Sequence, residues 1–285
     1  MRLMGILVIC LMQTSFVFGQ STDPIQELMV LSGLEDQVRQ MWIGLRADLA
    51  ERRQEAPAES VQILEQLEQE LTLTVNTETI RANINARLKN ELTPVEIETV
   101  LEFFRSPFGA RLAHLQRTAW IGEMLKPKKR AGGPAPGTST ENIVPLRRLG
   151  METHMVQVQW VWSTCTGTAL MSAASGSRFA TGASPGTPAF DTAVEETMQV
   201  LEGFLREIHS KDLPASMESP GDAFLEVLYR PLGRDSLDKY LDFAQSQAGS
   251  KFYRISGTAI LRSWIGGCLE AGYRLRERIT GGGIR

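Results

Sequence analysis

Leu92–Ala119 reads LTPVEIETVLEFFRSPFGARLAHLQRTA, and Leu232–Ala259 reads LGRDSLDKYLDFAQSQAGSKFYRISGTA. Set 140 residues apart and without a gap, the two share seven identical positions over 28. Among them are Leu101/Leu241, Phe103/Phe243, Ser106/Ser246 and Gly109/Gly249, and Glu98/Asp238, Glu102/Asp242 and Arg111/Lys251 keep their charge. The local chemistry is that of helix ends. Thr93-Pro94-Val95-Glu96 has the spacing of a capping box, and Ser106-Pro107 offers a capping hydroxyl followed by the residue best suited to a first helical position. Ser106 therefore reads as an N-cap, with Phe103, Phe104 and Gly109 fastening one helix to the next. The stretch is a helix joint, and it occurs twice.

The same start chemistry recurs at Asp23-Pro24, Thr187-Pro188 and Ser219-Pro220. Apolar residues keep helical spacing over Ile25–Leu45, Ile63–Leu71, Ile80–Leu88, Val95–Phe104 and Leu112–Ala119. These signals predict an all-α fold. One segment competes: His154–Trp162, HMVQVQWVW, alternates like a strand and is rich in β-branched and aromatic residues. Read as a helix it is apolar nearly all round, which suits a central buried element. A fainter echo pairs Leu28–Trp42 with Leu146–Trp160 through Gly33/Gly150 and favours the helix.

Lys126–Asn142, KPKKRAGGPAPGTSTEN, has no apolar periodicity and reads as a linker rich in Pro, Gly and Lys. Ser172–Ala189 reads as a long Ala/Gly/Ser loop. The expected organisation is a signal peptide over 1–19, a helical unit over 20–125, the linker over 126–142, a related unit over 143–280 and a flexible tail over 281–285. Two copies of one helical unit can stack into a continuous core.

The leader MRLMGILVICLMQTSFVFGQ carries one charge, Arg2, then a short apolar run, with Val17 and Gly19 at −3 and −1 of a cleavage before Gln20. That pattern reads as a secretory signal peptide, too short to span a bilayer. The mature chain then keeps two cysteines, Cys165 and Cys268, which form a candidate disulfide in an oxidising compartment. They lack the CxxC spacing and His partners of a zinc site. A formal charge of −3 and pI near 5.8 supply no basic excess for phosphate, so nucleic acid is not an expected partner.

Catalytic motifs are scarce. Histidines occur at 114, 154 and 209, and Arg254 stands where the repeat would put a second copy of His114, so no Ser–His pair is duplicated. Glu98/Glu102 and Asp238/Asp242 set carboxylates on one helix face, able in principle to bind a cation or move a proton. Arg105 and Arg111 flank the joint as candidate anion-binding residues near a helix N-terminus. No cofactor and no metal set is expected.

FFRSPFG, with LMVLSGLEDQVRQM upstream, resembles the bacterial domain of unknown function 2059 family, clearly over residues 25–120 and weakly over 143–262. Phe103, Phe104, Ser106, Pro107 and Gly109 carry the resemblance, while the second copy departs from it at Ala244 and Gln247. It implies an exported helical protein, periplasmic or secreted in a Gram-negative bacterium. It brings no reaction and no catalytic residue. The expected function is a non-catalytic interaction or binding module facing an envelope protein or ligand. The alternatives are a hydrolase using carboxylates or Ser106 in a cleft between the units, and a carrier of an apolar ligand.

Overall fold

The computed structural model describes residues 23–124, 140–175, 185–208, 222–229 and 231–281. The leader, most of the linker, the Ser219-Pro220 start and residues 282–285 lie outside the described residues. Among those described there is no strand, and the fold is all-α.

The first half contains α1 (Pro24–Leu31), α2 (Leu34–Glu55), α3 (Ala58–Thr74), α4 (Thr77–Glu91), α5 (Pro94–Arg105) and α6 (Pro107–Met124). Their ends follow side-chain chemistry. Asp23 Oδ1 accepts the Ile25 N–H at 2.9 Å, and Asn76 Oδ1 accepts those of Glu78 and Thr79 at 2.8 and 3.2 Å. At Thr93 both arms of the capping box are made, Glu96 N–H to Thr93 Oγ1 at 3.3 Å and Thr93 N–H to Glu96 Oε2 at 2.8 Å. The apolar run over Ile25–Leu45 is broken at Ser32–Gly33, where Gly33 sits at φ +78° and lets the chain turn from α1 into α2.

The second half contains α7 (Thr140–Glu152), α8 (Met155–Ser175), α9 (Pro188–Ile208), α10 (Asp222–Tyr229), α11 (Arg234–Gln245) and α12 (Gln247–Gly281). The Trp-rich stretch is helical and forms the first half of α8, whose residues 155–158 are all buried. Three boundaries differ from the sequence reading, one of them at Pro188–Ala189, which were assigned to the loop and begin α9. Thr140–Asn142, assigned to the linker, start α7, and Ser172–Ser175, assigned to the loop, end α8. Ser172 is held there by packing, since its hydroxyl donates to the Leu269 carbonyl of α12 at 3.3 Å. The echo's register also shifts. Gly150 lies inside α7 against Leu225 and Val156, and the turn matching Gly33 is at His154, φ +56°.

Two sets of helix contacts recur in the same order in the two halves. α1 lies on α5 as α7 lies on α11, and α4 lies on α12 as α10 lies on α6. The halves do not form separate bodies: one continuous apolar cluster runs from Ile25 to Leu275. At 35 residues α12 is the longest helix and lies against α3, α4, α8 and α9, with Trp264 fully buried midway. A buried pair, Arg147 Nη2 to Asp222 Oδ2 at 2.6 Å, joins α7 to α10. No helix among the described residues is long and apolar enough to cross a membrane.

Candidate binding groove

The two joints have the same atomic construction. Ser106 ends α5 and caps α6: its hydroxyl donates to the Phe103 carbonyl at 2.6 Å and accepts the Gly109 N–H at 3.0 Å. Ser246 does the same between α11 and α12, donating to Phe243 O at 2.7 Å and accepting from Gly249 N–H at 3.1 Å. A Cβ on Gly109 would run into the Phe103 carbonyl and one on Gly249 into the Phe243 carbonyl, so glycine is required by space at both places. The joints also touch. The rings of Phe103 and Phe243 stack with centroids 3.5 Å apart and planes within 1°. Face-to-face stacking is the less favoured aromatic geometry. Edge contacts from Phe104 to both rings, at 5.2 and 5.9 Å, surround this one.

Beside the stack lies a buried polar cluster. Gln116 Nε2 donates to Tyr229 and Tyr240 hydroxyls at 3.2 and 3.1 Å, and the Tyr240 and Tyr253 hydroxyls are 2.9 Å apart. Burial pushes all three phenols well above their ordinary range. They are neutral donors and acceptors tying α6 to α10, α11 and α12. Lys251, the counterpart of Arg111, donates to Glu96 at 2.7 and 3.0 Å. With the Thr93 N–H, it lowers the Glu96 carboxyl to about 2.

Several of the groups suggested for chemistry around Ser106 are already engaged. Its hydroxyl is engaged in both directions, and His114 is exposed two turns along α6. Arg105 is not open to an anion, because it grips Glu27 at 2.9 Å through two nitrogens and Glu98 at 2.7 Å. Those hydrogen bonds hold Glu27 below the usual carboxylate range. Arg111 is left exposed on α6 without its proposed companion. Glu102 is exposed, Asp238 pairs with Arg234 at 3.1 Å, and the four carboxylates of the two joints do not converge on a cleft. Among the described residues no three His, Cys, Asp or Glu side chains gather to hold a metal.

A concave apolar site lies elsewhere, in the second half. Cys165 of α8 and Cys268 of α12 are joined by a disulfide, with Cα atoms 5.6 Å apart, and the pair lines a groove of about 310 Å³. α8 contributes Trp160, Val161, Thr164, Cys165 and Thr168, α9 contributes Thr197, Val200 and Leu201, and α12 contributes Ile265 and Cys268. Each set follows helical spacing, so three single faces converge. Val161, Leu201 and Ile265 are buried along its walls, while Val200 is 73% exposed at its edge. Two of the hydroxyls face inward to their own helices, Thr164 to Trp160 O at 2.9 Å and Thr197 to Ala193 O at 2.8 Å. The surface left for a ligand is apolar.

A second cleft, of about 440 Å³, lies between α4, α9 and α12 and is of mixed lining, with Asn76, Asn83, Arg87, Asp191, Arg262 and Glu270 around Ile80 and Val194. Its guanidinium groups are already matched, Arg87 to Glu91 at 2.8 Å and Arg262 to Glu195 at 3.2 Å.

No family model, no curated protein and no solved structure matches the chain. The sequence marked Cys165 and Cys268 as a pair and Thr187-Pro188 as the start of α9; it did not mark Thr197, Val200 and Leu201, which close the third side.

Proposed function

We propose that the protein is a non-catalytic binding module of an exported, oxidising compartment, built from two related six-helix units, and that the α8–α9–α12 groove is its binding face. The groove beside the Cys165–Cys268 bond carries the reading: it is concave and apolar and falls within the ~300–1,000 Å³ range of small-molecule sites. Export is supported by the leader's composition and by a disulfide made from the two cysteines outside that leader. Relatedness of the units is supported by the matched joints and by the stacking of equivalent phenylalanines. The hydrolase alternative has less support, since Ser106 is a cap and Glu98 is held by Arg105.

The test is a fluorescence titration of the mature chain with 11-(dansylamino)undecanoic acid, a probe with an apolar chain. Saturable one-site binding is expected, and Val200→Trp at the exposed edge should weaken it at least tenfold by closing the mouth. Absence of saturation, or indifference to Val200→Trp, would overturn the assignment of the groove.

A further inference from the structure

Resting on that reading, we propose that the groove takes one extended apolar chain, and that a seated chain covers the Cys165–Cys268 bond so that occupancy and reduction of the disulfide oppose each other. The dimensions select the occupant. Along α8 the groove runs from Trp160 to Thr168, about 12 Å at the helical rise per residue. A volume of about 310 Å³ open to the centres of water molecules over that length, with ~1.4 Å added at each wall, leaves a channel roughly 8 Å across. That admits a single extended chain and is narrower than an α-helix, which is ~10–12 Å with its side chains. A whole helical peptide therefore does not fit inside it, and two of the three threonines along the groove, Thr164 and Thr197, already give their hydroxyl protons to their own helices.

The bond's position supplies the coupling. Cys165 and Cys268 are each 1% exposed, yet both line the groove, so a reductant's route to the sulfurs runs through the space a ligand would fill. The same bond fixes α8 to α12 at the groove's floor. Reduction by a dithiol is a balanced exchange. Its thiolate attacks one cysteine sulfur, the S–S bond breaks, and the other cysteine leaves as a thiolate that takes up a proton. The dithiol's second thiolate then displaces the first cysteine and leaves as its own cyclic disulfide, two electrons having passed to the protein. With the link broken, α8 and α12 are free to separate at the floor, and the walls lose their spacing. Linkage makes the effect mutual: the factor by which a ligand favours the bonded form is the factor by which reduction weakens binding.

The experiment uses the full mature chain and the same dansylated undecanoate. Dithiothreitol reduction is followed by maleimide trapping and mass measurement, with and without saturating probe, on wild type and Val200→Trp. Reduction at least tenfold slower with probe present is expected, together with slow reduction of Val200→Trp in its absence and at least tenfold weaker probe binding by the reduced chain. Saturable binding with an unchanged reduction rate would sink the coupling and leave the binding reading standing, whereas no saturable binding would sink both. Circular dichroism of the reduced chain separates loosening from unfolding; the protection of the oxidised, folded chain decides the proposal in either case.

Discussion

The joint at Ser106 and the joint at Ser246 reach one geometry from different sequences. Pro107 faces Gln247, Phe104 faces Ala244 and Phe108 faces Ala248, yet the serine's two hydrogen bonds agree within 0.1 Å between them. What the joint needs is therefore smaller than its signature suggests: an aromatic residue whose carbonyl is offered, a serine that both donates and accepts, and a glycine that leaves room. The proline and the extra aromatics belong to the surroundings. The first joint stands among Phe103, Phe104 and Phe108, and the second among Tyr240, Phe243 and Tyr253 with their buried hydroxyls. Only the second half adds a covalent link.

The largest effect should come from breaking that asymmetry. The disulfide ties residues 103 apart in sequence, and removing a link of that span costs about 5 kcal/mol in the chain-entropy account. Cys165→Ala/Cys268→Ala should lose that much in urea unfolding. A loss below about 1 kcal/mol would mean that helix packing alone holds α8 to α12. Next come Gly109→Ala and Gly249→Ala, each forcing a methyl into a backbone carbonyl that cannot swing aside, at about 3 kcal/mol. The two costs should match. If Gly249→Ala were tolerated while Gly109→Ala was not, the joints would be alike in shape but not in rigidity.

Gly33 and His154 are the left-handed residues between α1 and α2 and between α7 and α8. Burial lowers the His154 imidazole from 6.5 to about 4, with Glu152 opposing and Arg254 adding to the shift. The folded chain therefore holds it neutral while the unfolded chain protonates it, so stability rises with pH across that interval, is complete above about 6.5 and is lost as pH falls towards 4. The loss is on the order of 3 kcal/mol. His154→Asn, which tolerates the left-handed turn, should flatten the pH dependence between 6.5 and 4 while keeping the fold. An unchanged slope would assign acid sensitivity to other groups.

The helix ends were legible because they depend on neighbours in sequence: Asp23, Thr93 and Ser106 each satisfy an N–H two or three residues away. The Gly33/Gly150 register was not, because a turn at positive φ can be made by His154 when its imidazole packs over Gly257, a contact more than a hundred residues distant. The same holds for the end of α8, where a stretch of small residues with loop composition stays helical because Ser172 meets α12. The groove required three such distant juxtapositions at once. Single residues in it were visible in the sequence; their convergence belongs to the packing.

The smallest effect is also the sharpest test of what the repeated motif is. Ser106→Ala and Ser246→Ala each remove one cap and should cost about 1 kcal/mol. The carbonyls they release belong to Phe103 and Phe243, whose rings stack on one another. Loosening one joint therefore disturbs the support of the other, and the double variant should depart from additivity by about 0.5 kcal/mol or more. Strict additivity would show that the stack transmits nothing between the halves. Binding of the dansylated undecanoate should be the same in all three variants at a temperature where each is folded, since neither serine lines the groove. Loss of binding in a folded Ser106→Ala chain would move the functional surface back to the joint.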